Sequence, residues 1–317
     1  MTIISASRRT DIPAFFSDWL FKRLEERYVL VRNRYNPSQV SKIRLTCDLV
    51  DCLVFWTKNP KPMLERHGDQ LRNLPFPFYF QFTITPYGND IEPGVPDIDE
   101  MMKVFIALSR EFGKRKMVWR YDPILLTDTI DMDWHICRFA EMAGQLGAYA
   151  DQCIISFIDF YRKIEPAARR IRCRKISSEE VKFIAREFAA IAASHDLHLA
   201  TCAEVIDLSE FGIGRASCID AGRIGDICGG TCKSGKDKSQ RKECGCVESI
   251  DIGAYSTCQH GCLYCYANHN QAEVGVNIQA NCADSPMLCD YVRPEDKITL
   301  RLMKRSIDSS SKLFPNS

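Results

Sequence analysis

With 317 residues, 45% of them hydrophobic, the chain can bury one large α/β domain or two modest ones, so a folded globular protein is expected. Its 42 lysines and arginines nearly cancel 41 aspartates and glutamates, which excludes a global field drawing it to nucleic acid or anionic lipid; such a partner would need a local patch. The amino terminus lacks the basic-then-apolar order of a secretory signal and no segment approaches the ~20 apolar residues of a membrane span, so a cytoplasmic protein with no membrane partner is expected.

In chain order, near-continuous apolar runs at 3–7, 52–56, 78–83, 117–121, 153–157 and 197–201 read as buried parallel strands. Amphipathic stretches at 14–27, 98–112, 134–146 and 178–194 read as the helices between them. In the last of these Ser177 or Ser178 caps the start, and Glu179 and Glu180 suit the positive end of the dipole. A pair at 28–32 and 40–45 reads as a small excursion before the second strand. The alternation predicts an α/β fold with right-handed crossovers: a partial (β/α)6 TIM-like barrel, or equally a doubly wound sheet. Polar residues gather past the apolar runs, where both architectures build their sites. Arg8, Lys58, Arg120, Asp122 and Glu204 are therefore expected to converge as a charged catalytic pocket for a polar substrate.

Residues 1–205 read as this barrel-like part and 206–270 as a cysteine-rich segment ordered by metal rather than by a core. Residues 271–317 read as a tail packing on the barrel, with one helix at 294–306. Half of the 16 cysteines fall between positions 218 and 265, and in a cytosolic chain of this size they point to metal or redox chemistry rather than disulfides. Cys258, Cys262 and Cys265, spaced three then two, can hold three corners of a [4Fe-4S] cluster and leave the fourth iron without a protein ligand. An open iron can chelate the amino and carboxylate groups of S-adenosylmethionine, so that one electron breaks a carbon–sulfur bond. Tyr264 is placed to pack on the adenine, with Tyr266 and Asn268 as further cofactor contacts, and Gly261 supplies a permissive dihedral. A zinc knuckle completed by His260 or a distant cysteine stays open as the alternative. A second site is read on Cys218, Cys244 and Cys246 with Cys228 or Cys232 as fourth ligand, for another [4Fe-4S] cluster or zinc. Cys47, Cys52, Cys137, Cys153, Cys173 and Cys202 read as buried small hydrophobes.

The three-then-two spacing resembles the radical S-adenosylmethionine superfamily, which normally carries this loop after its first strand, near the amino terminus. Here it comes late, and an extended segment at 248–255 is expected to deliver it to the strand ends from the carboxyl side. The runs at 7–13 (SRRTDIP), 54–60 (VFWTKNP), 236–241 (KDKSQR), 244–246 (CGC), 251–253 (DIG) and 266–268 (YAN) resemble an uncharacterised bacterial family of unknown function with radical-enzyme-like cysteines. That resemblance implies an iron–sulfur site and no particular substrate. The Cys-Tyr-Ala ending is loosely similar to spore photoproduct lyase, a radical enzyme of DNA repair. The expected function is thus a radical enzyme that generates a 5′-deoxyadenosyl radical, fed by a low-potential flavodoxin or ferredoxin. The alternative is a non-enzymatic zinc or iron–sulfur protein for structure, sensing or electron transfer. The basic run at 169–175 reads as solvated surface, and that at 233–242 as charge balance beside the cysteines, which leaves nucleic acid the less favoured partner.

Overall fold

The structure, a computed structural model, describes residues 2–160, 164–305 and 307–308. Its strands are β1 (Ile3–Ala6), β2 (Tyr28–Arg32), β3 (Gln39–Arg44), β4 (Cys52–Thr57), β5 (Phe78–Thr83), β6 (Met117–Ile124), β7 (Gln152–Phe157), β8 (Leu199–Thr201), β9 (Gly214–Arg215), β10 (Thr231–Cys232), β11 (Ile250–Asp251), β12 (Lys297–Leu300) and β13 (Ile307–Asp308). Eight of them form one all-parallel sheet in the order β11-β1-β4-β5-β6-β7-β8-β9. Among the described residues no pairing joins β9 to β11, so the parallel sheet expected of a partial barrel is present and its closure is not shown. From β1 to β9 the strands lie in chain order, which under right-handed crossovers puts the connecting helices on one face and rules out the doubly wound alternative.

The helices are α1 (Ile12–Phe15), α2 (Ser17–Glu26), α3 (Lys61–Arg72), α4 (Ile98–Phe112), α5 (Met132–Leu146), α6 (Glu165–Arg170), α7 (Ser178–Ser194), α8 (Ala221–Cys228) and α9 (Gln271–Ile278). In α7 the Ser177 hydroxyl accepts from the Glu180 amide while the Glu180 carboxylate accepts from the Ser177 amide, the capping box that the sequence suggests. Helix α3 has no counterpart among the expected elements, because it buries only Met63 and Leu71 and is made mostly of polar residues. The expected helix at 294–306 is replaced by β12, an exposed edge strand paired in parallel with β3; the last residue of that helix, Ser306, lies outside the described residues. Strands β2, β3 and β12 make a small separate sheet, tied by Arg32 to Asp290 and Asp296.

Side chains of the main sheet alternate between its faces. Leu53, Phe55, Phe78, Phe80, Phe82, Met117, Trp119, Tyr121, Cys153, Ile155 and Leu199 enter the large core with residues of α2, α3, α4, α5 and α7. On the other, inner face Cys52, Val54, Tyr79, Val118, Ile154 and Ala200 pack against Ala216, Cys218, Ile219, Ile224, Cys244, Cys246 and Val247. The cysteine-rich segment was expected to lack a core of its own. It instead shares one with the sheet, because the inner face is apolar near the strand starts and no helix of the α/β repeat covers it.

Candidate functional site

The loop bearing Cys258, Cys262 and Cys265 leaves strand β11, which lies beside β1 with Ile4 opposite Ile250 and Ser5 opposite Asp251. Asp251 fastens this edge. Its carboxylate accepts from the hydroxyls of Ser5 (3.0 Å) and Ser7 (2.6 Å) and from the amides of Arg8 (2.8 Å) and Gly253 (3.0 Å). Gly253 passes so close to β1 that a Cβ would lie 2.1 Å from the Ser7 hydroxyl oxygen, so only glycine fits there. Of the extended segment expected at 248–255, residues 250–251 are thus a strand at the edge of the sheet beside β1.

From there the loop is held over segments that follow β1, β4 and β5. The two ring nitrogens of His260 face the Gly94 carbonyl (2.9 Å) and the Asp11 carboxylate (2.8 Å), and the Gly94 amide donates to the His260 carbonyl (2.8 Å). The other Asp11 oxygen contacts are to Ala14 and to the Lys58 amide, at 3.0 and 2.7 Å, so one carboxylate joins α1, β4 and the loop. Gly261 takes φ +69°, the left-handed conformation expected of it. The Leu263 amide donates to the Ile91 carbonyl (3.0 Å), and the Ala267 amide to Cys265 Sγ (3.4 Å).

Beneath the loop, buried Glu92 accepts from Lys58 Nζ (2.9 Å), Thr85 (2.6 Å) and the Tyr264 hydroxyl. Burial pulls the Lys58 ammonium down, but Glu92, Cys262 and Asp122 together outweigh it and hold the pKa above the ordinary lysine value. Tyr264 lies under Lys58 Nζ, 5.8 Å from its ring centroid, and edge-on to Tyr87. Tyr266 donates to the Arg8 carbonyl (2.9 Å). Asn268, 8% exposed, donates to the Cys258 carbonyl (2.7 Å), while its buried side-chain oxygen has no protein partner. Burial pushes the Cys258 thiol up to about 12, with Cys265 adding to the shift. Cys262 is also raised well above the ordinary thiol value by burial, partly opposed by Lys58. Both shifts favour the protonated thiol, so a cationic centre bound here would displace protons.

The polar residues meet on the inner face. Arg120 lies within the strand run as read, and Asp122, expected past it, is also inside β6; Arg120 donates to Gln81 (3.3 Å), to Cys218 Sγ (2.8 Å) and to Asp122. Ser156 of β7 donates to Asp122. Arg8 and Arg120 stack over the Trp56 ring at 5.2 and 5.4 Å, and a buried Arg8 nitrogen lacks a protein partner. Glu204 accepts from the Phe157 amide (2.8 Å), and burial, then Asp159 and Asp122, raises its carboxyl to about 7. Lys58 and Glu204 both act electrostatically on Asp122, so the five expected pocket residues form one charged tract with Trp56.

Of the second cysteine set, Cys218, Cys244 and Cys246 come together, whereas Cys232 lies by Cys228 and Asp51, with Cys228 paired to Cys52. Cys202, rather than Cys228 or Cys232, joins them: its sulfur lies 3.1 Å from that of Cys218. Its apolar flanks had suggested a core filler, and only its position just past β8 hinted otherwise. In the basic run at 169–175, Arg169, Arg172 and Arg174 pair with Glu165, Asp128 and Glu180, which mutes any patch for nucleic acid. Among the described residues, no group of three or more His, Cys, Asp or Glu side chains is disposed to hold a single metal ion, and no helix is long and apolar enough to cross a membrane.

No curated protein matches the chain, and neither does any solved structure. The family described as a domain of unknown function (DUF1848) matches residues 3–267, a span that opens at β1 and ends two residues past Cys265.

Proposed function

The chain belongs to the DUF1848 family, and from that premise we propose that it is a radical S-adenosylmethionine enzyme acting on a polar organic substrate. The observation that carries this reading is the seating of the three-thiol loop. It leaves an edge strand beside β1 and sits over the segments following β1, β4 and β5, where parallel sheets build their sites. The order is then a permutation, with the loop delivered by the spatially outermost strand rather than the first in the chain.

The donor set suits a cluster with one open corner. Cys258, Cys262 and Cys265 act on one another electrostatically, and a cubane spaces its thiolates more widely than a single ion does. Both nitrogens of His260 are engaged elsewhere, which removes one of the two fourth ligands open to a zinc knuckle and leaves it a distant cysteine. The unpartnered Asn268 oxygen and Arg8 nitrogen leave polar capacity for a bound cofactor.

When bound and reduced by a flavodoxin- or ferredoxin-type donor, the cluster would supply one electron for cleavage of S-adenosylmethionine to a 5′-deoxyadenosyl radical that abstracts hydrogen. The chain's residues do the rest. The three cysteines give up their protons and bind, the Asp11–His260 contact fixes the loop, and Lys58 places positive charge beside Cys262. Arg8, Arg120, Asp122 and Glu204 form the charged wall that orients a polar substrate, and Trp56 shields it from water. Anaerobic reconstitution with iron and sulfide, then reduction with S-adenosylmethionine, is expected to yield 5′-deoxyadenosine and to fail in Cys262→Ala. A reduced, cluster-loaded protein that yields none overturns the proposal, and zinc without iron in the isolated protein favours the non-enzymatic reading.

A further inference from the structure

The row of thiols on the inner face has no part in the mechanism above. Cys202 and Cys218 touch at 3.1 Å, and Cys246 lies within thiol hydrogen-bonding reach of both Cys218 and Cys244. We propose that Cys202, Cys218, Cys244 and Cys246 form a second metal site, ligated wholly by cysteine, for a zinc ion or an iron–sulfur cluster.

The backbone around these residues is built to hold them. The Cys218 carbonyl accepts from both Tyr79 and Gln81 of β5, each at 2.7 Å. Val247 N–H donates to the Ile219 carbonyl (3.1 Å), so the two ligand segments run side by side. Gly245 lets the Cys244-Gly245-Cys246 turn approach Ser217, whose hydroxyl oxygen would lie 2.6 Å from an added Cβ and which donates to the Gly245 carbonyl (2.8 Å). The Ile219 amide donates to Cys246 Sγ (3.3 Å), a bond that supports a thiolate better than a thiol.

Charge argues the same way. Four thiolates around a dication leave net negative charge, and two guanidiniums face the site. Arg120 is 2.8 Å from Cys218 Sγ, and Arg8 acts on Cys246 and Cys218 while keeping one buried nitrogen unpartnered. Each is offset only in part by a carboxylate, Arg120 by Asp122 and Arg8 by Asp251. Neutral thiols are weak partners and would leave these cations poorly compensated. The sulfurs touch in sequence instead of surrounding one point, so binding requires rotation of cysteine χ1 angles, with the backbone in place.

The site stands independently of the loop at 258–265, and its test uses the full chain. Iron, zinc and sulfide are measured in wild type, in Cys258→Ala/Cys262→Ala/Cys265→Ala and in Cys202→Ala/Cys218→Ala/Cys244→Ala/Cys246→Ala, each reconstituted anaerobically. The loop variant is expected to keep one metal centre that the fourfold variant lacks: iron with sulfide identifies a cluster, and zinc without sulfide a zinc site. A folded loop variant with no metal overturns the proposal, as does a fourfold variant with the wild-type content. Should the fourfold variant not fold, Cys202→Ser in the loop-variant background is expected to lose metal to a chelator about 10-fold faster or more; an unchanged rate overturns the proposal. If wild type cleaves no S-adenosylmethionine while the loop variant still holds metal, the function proposed above fails and this site stands.

Discussion

The two faces of the main sheet differ along the length of the same strands. On the outer face of β5 and β6, Phe78, Phe80, Phe82, Met117, Trp119 and Tyr121 are apolar or aromatic from start to end. On the inner face Tyr79 gives way to Gln81, and Val118 to Arg120 and then Asp122. Alternation therefore lets one strand build a core on one side and carry charge toward a site on the other. Stability and chemistry should separate by substitution.

The largest expected effect is on the outer face. Phe139 stacks on Phe188 at 3.9 Å and meets Trp119 and Tyr121 edge or face within 5.5 Å, so Phe139→Ala should cost about 3–5 kcal/mol in urea unfolding. A loss below ~1 kcal/mol would break the assignment of stability to that face.

A pH effect of comparable kind comes from the same side. His135 is fully buried, bonded to Tyr121 and Leu125, and burial lowers its pKa from 6.5 to about 4. The unfolded chain binds the proton first, so stability is whole above pH 6.5 and declines as the pH falls toward 4, by up to about 3 kcal/mol. His135→Gln should flatten that decline in melts between those pH values, and an unaltered slope would assign it to other groups.

At the inner edge, Asp251→Ala removes the acceptor of four bonds and should cost about 2 kcal/mol. Its sharper consequence is detachment of β11, read as lost iron in the loop with metal at the four-cysteine row retained. Loss from both, or from neither, would contradict the separate seating of the two. Smallest of all, Arg172→Ala breaks only an exposed pair with Asp128 and should leave the melting midpoint and any duplex binding unchanged.

Much of this was legible where one signal sufficed. The helices at 98–112 and 178–194 begin and end as their periodicity and caps indicate, and the apolar runs are strands of the main sheet. The extended segment that leads into the cysteine loop was legible in part, since β11 covers 250–251 of the expected 248–255. Partners distant in sequence were not: Glu92 meets Tyr264 across 172 positions, and Asp251 meets Ser5 across 246. That Cys202, rather than Cys228 or Cys232, lies against Cys218 was hidden for the same reason, since spacing among eight clustered cysteines does not say which ones the sheet brings together. Two-residue strands such as β9 and β11 carry no periodicity to read.

The central claim is that Cys258, Cys262 and Cys265 hold a cluster with one corner open to S-adenosylmethionine. Electron paramagnetic resonance of the reduced, reconstituted protein tests it most directly. The expected signal shifts when S-adenosylmethionine is added and does not shift in Cys258→Ala/Cys262→Ala/Cys265→Ala. A wild-type signal indifferent to S-adenosylmethionine would contradict it.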